Sequence, residues 1–513
     1  MPEIQTPVEH TTQLALTEKS KLKKSLRRFD MVFFTVCAFV GLDTLGLVAS
    51  QGAQGFTWLL ILAVLFVIPY MLVMSEVGSA FTEEGGPYEW TKLAFGRLHA
   101  GIMAILYWIT NPLWVGGSLA FIASDAWAAT NLPSLQIGEL GAFGDFVFKF
   151  IFIWFSIGVA IAALQRGKWI PTAGGFARIF VLGFFSITCI VYGAKHGVHG
   201  FGLSDMSPSR AVFLGLAPFL LFNYVGFELQ NGAAEEMVNP QRDVPISILR
   251  SGILGVALYV IPILGIILVL PANKITGIGG FIDAIKETFT VYGGAQSFLF
   301  AVTALGFIFT LVTSGAVWMI GSDRIQAVAS YDGAFFPFFG VFNRKLGTPV
   351  RVNVLSGIAS TIFMVTAVEL LKSKGAANAF TVVLDIAIST TLLSYLWIFP
   401  AVLKLRYSMP RVHRPYVVPG GMPGLWIATI LSTFWIVLGV WVALFPGTLE
   451  RIMGIPYDFK DEWGIGRGEV EGLTLGTLAL IVVVGLIGYA AGSGVRAQDV
   501  VVPIEEHVAA EPA

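Results

Sequence analysis

Phe222-Asn223-Tyr224-Val225-Gly226-Phe227-Glu228 interrupts an apolar run with an amide, a phenol, a glycine and a carboxylate. In hydrocarbon every unpaired backbone N–H or C=O is costly, so such an interruption marks a helix that breaks where protein encloses it. An earlier run carries the same signature in Phe39-Val40-Gly41-Leu42-Asp43-Thr44-Leu45-Gly46. If ten helices form two five-helix repeats of inverted topology, these runs are helices one and six, the corresponding positions of the two halves, and paired breaks there point to a transport site. Broken ends expose backbone donors and acceptors and carry partial charge, which suits a zwitterion. The alternative for Gly41, Gly46 and Gly226 is close helix packing, which small residues commonly allow in membranes.

The whole chain has the composition this reading needs. Of 513 residues, 55% are hydrophobic and only 13% charged, about half the charge of an ordinary soluble domain. With 32 Lys+Arg against 33 Asp+Glu, neither a disordered chain nor a nucleic-acid binder fits. Apolar runs of roughly 20 residues, enough to cross about 30 Å of hydrocarbon, recur about twelve times. They begin near Phe33, Trp58, Leu98, Phe146, Ile170, Val212, Ile246, Ser297, Val352, Phe380, Leu425 and Thr474. The expected fold is an all-α polytopic membrane protein in the lipid bilayer. Cys37 and Cys189 lie inside apolar runs and read as small core residues. The six histidines show no metal-ligand spacing, so neither a metal nor a cofactor is expected.

Orientation follows from the basic residues. With the amino terminus inside, about 21 of the 32 Lys+Arg fall on the cytoplasmic side. The cluster from Lys19 to Arg28 leads this bias, and it precedes a first span that lacks a signal-peptide cleavage pattern. The expectation is an integral plasma membrane protein of the bacterial inner-membrane type with both termini cytoplasmic. Its parts are a basic tail over 1–30, a first five-helix repeat over 31–195, a second over 211–404, two added helices over 423–492 and a cytoplasmic tail over 493–513. Gly447 to Glu471 is then an outside loop of mixed charge.

The sixth run and its exit, FNYVGFELQNGAAEEMVNPQRDVP from Phe222 to Pro245, resembles the signature of the amino acid-polyamine-organocation permease superfamily. Three other stretches resemble the same family in the same order: FTEEGGPYEWTKLAFG from Phe81 to Gly96, SDRIQAVASYDGAFFPFFGVFNRKLGTPV from Ser322 to Val350, and LRYSMPRVHRPYVVPG from Leu405 to Gly420. The resemblance implies a leucine-transporter-type fold, with a five-plus-five inverted repeat, two extra helices and breaks in helices one and six. It also implies secondary active transport by alternating access.

The substrate-binding candidates are Gly41, Leu42, Asp43 and Thr44 in the first break, and Phe222, Asn223, Tyr224 and Gly226 in the sixth. An ionised carboxylate in mid-span costs at least about 2.5–3.5 kcal/mol, which makes Asp43 a functional candidate by default. Members of the family more often carry glycine and small residues there. Asp43 has two roles open to it besides capping the broken helix: to bind a substrate ammonium, or to carry a coupling proton. Phe222 matches the aromatic residue that closes over substrate in the family. Glu228 matches its acid just past the break, which serves in several members as a gate or in proton coupling. Some members place a cation on helix five where others bind sodium between helices one and eight. Arg178 is the candidate, although the family's position falls about one turn later, near Leu182. Thr313 and Ser314 are the hydroxyls that sodium would need, so the residues leave the coupling ion open between H+ and sodium.

Asn111-Pro112 is expected to kink its span toward a cavity, and Asp385 to cap the outer end of span ten. Glu83-Glu84-Gly85-Gly86-Pro87 is expected to turn into a short interfacial helix whose acids meet neighbouring arginines, with Glu235 and Glu236 organising their loop around Arg242. These features describe a secondary transporter of an amino acid or related amine, driven by protons or by exchange. A polyamine or other organic-cation permease is the alternative, for which Asp43 and Glu228 supply counter-charge. A membrane-embedded enzyme, the distant alternative, needs a catalytic cluster and a larger soluble loop that this sequence does not display.

Overall fold

Two stretches apolar enough to form single helices are each split in two. In the computed structural model, Arg28–Phe39 and Leu45–Ser50 are separate helices, and so are Arg210–Asn223 and the tight 3-10 segment Leu229–Glu236. The structure describes residues 8–130, 138–162, 169–198, 202, 204–271, 274–275, 280–374 and 376–503. Among them, ten helical segments are long and apolar enough to cross a membrane: Gly52–Ala80, Arg97–Thr130, Ala142–Ala162, Trp169–His196, Pro240–Val269, Gly280–Tyr331, Val350–Glu369, Val382–Ser408, Gly421–Leu444 and Arg467–Ala491. The split stretches fall where the first and sixth spans are expected, and their pieces are too short to qualify because each is broken.

Burial sorts these helices into an inside and an outside. The apolar window of Arg97–Thr130 is entirely enclosed by other helices, whereas that of Arg467–Ala491 is only 28% buried. Large apolar side chains such as Ile190, Ile253, Ile430 and Leu480 project outward, as lipid contact requires and water would penalise. Arg97–Thr130 contains Pro112, which removes a backbone donor, and the turn that follows, Val115–Leu119, widens to π geometry. Such a turn absorbs a broken i to i−4 bond and re-aims the side chains beside it. Trp114, at this junction, points into the site described below.

Two short strands, Val8–Thr12 and Asp499–Pro503, pair antiparallel, with His10 opposite Val501. The segments near the two chain ends therefore lie on one face, as an even number of crossings requires. The first seven residues and those beyond 503, parts of the two expected tails, fall outside the described residues. The loop after Leu444 folds into two short helices, Thr448–Ile452 and Phe459–Trp463, on the opposite face.

Candidate functional site

The first break begins where Val40 leaves the helix with φ −97° and ψ 90°. The sixth passes through Gly226 at φ +122°, a conformation glycine adopts without the steric cost a Cβ brings. A Cβ at Gly226 would also lie 3.1 Å from the Trp318 ring and 3.4 Å from Ala38 Cβ. Glycine is needed there both for the turn and for close approach to the first helix.

One phenol ties the breaks together. Tyr259, from helix Pro240–Val269, accepts the Gly41 N–H at 2.8 Å, and its hydroxyl lies 3.0 Å from Phe39 O and 3.2 Å from Asn223 O. Thr44 Oγ1 donates to Asn223 Oδ1 at 2.6 Å. The carbonyls and N–H groups freed by breaking both helices are thus partly satisfied by each other's neighbours, as burial demands.

Between the breaks lies a small cavity lined by Phe39, Gly41, Asp43, Phe222, Asn223 and Tyr259, with Ala38, Trp114 and Trp318 completing its wall. Its open volume of about 10 Å³ is room for about one water, so this conformation is closed. Asp43 is buried, and its Oδ2 accepts the Trp114 indole N–H at 2.9 Å. Trp114 in turn meets Phe222 edge-on, with ring centroids 5.8 Å apart. Asn223 Nδ2 is buried without a hydrogen-bond partner. Of the sequence candidates, Gly41, Asp43, Phe222 and Asn223 line this space. Leu42, Thr44, Tyr224 and Gly226 do not; Tyr224 faces away and donates to Leu59 O at 3.0 Å.

Glu228 and Arg178 lie outside the cavity, each in a dense cage. Glu228 Oε1 accepts from Tyr107 Oη at 2.5 Å and Tyr395 Oη at 2.6 Å, and its Oε2 accepts from Tyr70 Oη. Tyr70 Oη also accepts the Gly226 and Phe227 N–H groups at 2.9 and 3.2 Å. Three tyrosines from three helices therefore hold the acid, and one of them, Tyr70, ties it to the backbone of the sixth break. Arg178, fully buried on helix Trp169–His196, donates to Val40 O at 2.9 Å and Cys37 O at 3.2 Å on the first helix and its break. It also reaches helix Gln296–Tyr331, donating to Thr310 O and Thr313 Oγ1 at 3.0 Å each and to Ser314 Oγ. Arg178, the candidate named from the sequence, thus spans the first helix and Gln296–Tyr331 with its five-donor fork.

The chain matches the amino acid permease family over residues 26–454. It belongs to that family. The permease is 28% identical to a probable agmatine/putrescine antiporter of Lactococcus lactis over 410 residues, 79% of this chain and 84% of that protein. It is 30% identical to an uncharacterised transporter of Legionella pneumophila over 407 residues, 78% and 85% of the two chains. It is 24% identical to a branched-chain amino acid permease of Bacillus subtilis over 457 residues, 86% and 93%. It is an amino acid or amine transporter of the superfamily that the four sequence stretches resemble.

Three lining residues of the permease, Trp114, Tyr259 and Trp318, escaped sequence reading. Tyr259 and Trp318 sit in apolar runs where an aromatic looks like packing; only Trp114 had a signal, lying two residues after Asn111-Pro112. On the face of the terminal strands the expected turn is present, and Pro87–Phe95 is the short helix it opens. Glu84 lies 3.3 Å from Arg324, which also holds Glu236 at 2.7 Å. Glu235 pairs with Lys19 at 3.1 Å, so the expected loop around Arg242 is corrected: these acids face inward to Arg324 and across to the amino-terminal segment. Burial first, and then the nearby Glu236 carboxylate, hold Glu84 well above the usual carboxylate range, with Arg324 pulling the other way.

Proposed function

We propose that the permease carries a small aliphatic amine by alternating access, exchanging one amine for another, with Asp43 as the counter-charge for the substrate ammonium. The observation that carries this reading is the Asp43 carboxylate in the cavity between the two breaks. A zwitterion also needs backbone donors for its carboxylate. Gly41, Gly226 and Phe227 already give their N–H groups to the hydroxyls of Tyr259 and Tyr70, which favours a substrate without a carboxylate. The name of the Lactococcus lactis relative, an agmatine/putrescine antiporter, points the same way.

On this reading the two split stretches and the ten long apolar segments are twelve spans of an integral inner-membrane carrier, two inverted repeats over 31–195 and 211–404 followed by helices in 423–492. Both termini, joined by their strand pair, face the cytoplasm. The substrate passes unchanged, with no catalytic step. Phe222 and Trp114 close the outer side of the cavity, and Glu228 with its tyrosines closes the inner side. Arg178 stands where a coupling sodium ion would otherwise join the first and eighth spans. Because a guanidinium keeps its charge at any working pH, exchange is favoured over a proton cycle at that position, and any coupling H+ falls to Asp43.

The test is counterflow in proteoliposomes loaded with 1,4-diaminobutane or with leucine. The wild type should accumulate labelled diamine and not labelled leucine, and Asp43→Asn should abolish the accumulation while the protein remains monodisperse. Leucine counterflow without diamine counterflow would replace the amine reading with the amino acid one. Unchanged counterflow by Asp43→Asn would remove Asp43 from the site.

A further inference from the structure

A second cavity, of about 410 Å³, opens on the face opposite the terminal strands. Leu47, Gln51, Phe219, Asp385, Glu450 and Trp463 are among its walls. Its volume lies within the range of ligand pockets, roughly 300–1,000 Å³, and far exceeds that of the closed cavity beside Asp43. Both broken helices connect the two spaces. Asp43 and Leu47 are four residues apart, and Phe219 and Phe222 three, with one of each pair in each cavity. Along Arg210–Asn223, where both phenylalanines are helical, the step is about one turn, roughly 5 Å of axis, while Asp43 lies in the break just before helix Leu45–Ser50, which carries Leu47.

Asp385 does not cap its helix. It lies well inside Ala376–Ser408, past the first two turns, where every N–H already has a helical acceptor and none is left for a capping side chain. The expected cap is thus corrected. Asp385 is 2% exposed, and its Oδ2 is buried without any hydrogen-bond partner. Leaving a buried carboxylate oxygen unmatched is expensive, and more so for the charged form. Glu450, 4% exposed, stands in the wall of the same cavity. Among the described lining residues there is no lysine, arginine or histidine to match either acid. The Trp463 ring is held in the wall by its indole N–H, which donates to Tyr457 Oη at 2.6 Å. An aromatic face at such a place attracts a cation.

We propose that this cavity is a second binding site for an organic cation, in which Asp385 and Glu450 receive the ammonium groups of an aliphatic amine about one turn of Arg210–Asn223 away from the cavity that holds Asp43. The cation supplies the partner that Asp385 Oδ2 lacks, and the apolar walls of Leu47 and Phe219 take the methylene chain. The site deepens the amine reading given above and rests on it for the direction of travel, but binding at Asp385 needs no contribution from Asp43.

The experiment is equilibrium binding of labelled 1,4-diaminobutane to the full-length protein in nanodiscs, for the wild type, Asp385→Asn, Glu450→Gln and Asp43→Asn. Size-exclusion profiles and unfolding midpoints confirm that each variant is folded. Two classes of site are expected in the wild type. Asp385→Asn should remove one class, Glu450→Gln should weaken the same class by about tenfold, the loss of one charge-assisted contact, and Asp43→Asn should remove only the other. A single site lost in Asp385→Asn and kept in Asp43→Asn would support the outer site and overturn the central amine assignment. A single site lost in Asp43→Asn and untouched by Asp385→Asn would overturn the outer site and leave the amine reading standing. No diamine binding by the folded wild type would overturn both.

Discussion

Gly41 in the first break donates its N–H to the Tyr259 hydroxyl at 2.8 Å, and that same oxygen lies 3.2 Å from the Asn223 carbonyl in the sixth. One side chain from a third helix therefore stands between the two places where the membrane-spanning backbone is broken. Removing the oxygen leaves the partly buried Gly41 N–H without its acceptor and takes away the single hydroxyl proton that the Phe39 and Asn223 carbonyls share. Such orphaned groups cost about 1–3 kcal/mol each. Tyr259→Phe should lower the unfolding midpoint measurably and reduce exchange, with the ring packing against Phe39 and Tyr224 retained. Thermal unfolding in detergent together with counterflow checks this. An unchanged midpoint would mean that the breaks do not depend on the phenol.

Glu228 is separated from the cavity but bound to the break that forms one wall. Its carboxylate accepts from Tyr70, Tyr107 and Tyr395, and Tyr70 passes the restraint on to the Gly226 and Phe227 N–H groups. Glu228→Gln replaces one acceptor oxygen with an amide that donates, so one tyrosine must turn away. The expected result is a fall in exchange of roughly tenfold or more, given about 1.5–3 kcal/mol for a hydrogen bond to a charged group, with diamine affinity changed little. Parallel binding and counterflow measurements separate the two effects, and a loss of binding equal to the loss of transport would place Glu228 in the substrate site instead.

Glu84, Glu236 and Arg324 join the turn after Gly52–Ala80 to the tight segment after the sixth break. Glu84 is held above its ordinary value, chiefly by burial, so it holds its proton more strongly in this closed arrangement than in an open, solvated one. A raised acid favours the state that raises it at low pH, and the advantage fades as pH climbs from the ordinary glutamate value through the raised one. Closure of this face should therefore be tightest in acid and loosen toward alkaline pH. Glu84→Gln should keep it closed throughout. Amide exchange of residues 81–96 as a function of pH reads this directly, and an equal pH dependence in wild type and variant would exclude Glu84 as its source.

The breaks were legible because hydrocarbon punishes exposed backbone, so glycine and polar residues in mid-span cannot be neutral. Phe39 to Gly46 and Phe222 to Glu228 are broken as that argument requires. The partners of the breaks were not legible. Tyr259, Tyr70 and Tyr107 are single phenols in apolar helices, and nothing in a one-dimensional pattern distinguishes a tyrosine that satisfies a distant N–H from one that packs. Asp385 shows the converse. Its position near the start of an apolar run suggested a cap, yet the helix begins earlier, and that shift turns a structural acid into one facing a cavity.

Arg178 gives the sharpest separation between a charge that is fixed and one that moves. Its guanidinium reaches Val40 O, Cys37 O, Thr310 O, Thr313 Oγ1 and Ser314 Oγ, a ring of oxygens that needs a cation at its centre. Lysine offers three donors from one point and cannot match the fork, and unlike arginine it loses its proton readily when buried. Arg178→Lys should therefore lower the unfolding midpoint and make exchange depend on pH, falling as the ammonium deprotonates, where the wild type shows no such dependence from this residue. Arg178→Ala removes the cation and leaves the oxygens. Hard carbonyl and hydroxyl ligands of this kind suit a small metal cation, so adding sodium chloride, but not choline chloride, should recover part of the lost exchange and raise the midpoint of the alanine variant while leaving the wild type unmoved. Equal responses to the two salts would show that the oxygens relax apart once the arginine is gone, and that the bridge between the first helix and Gln296–Tyr331 is built by the side chain and not waiting for an ion.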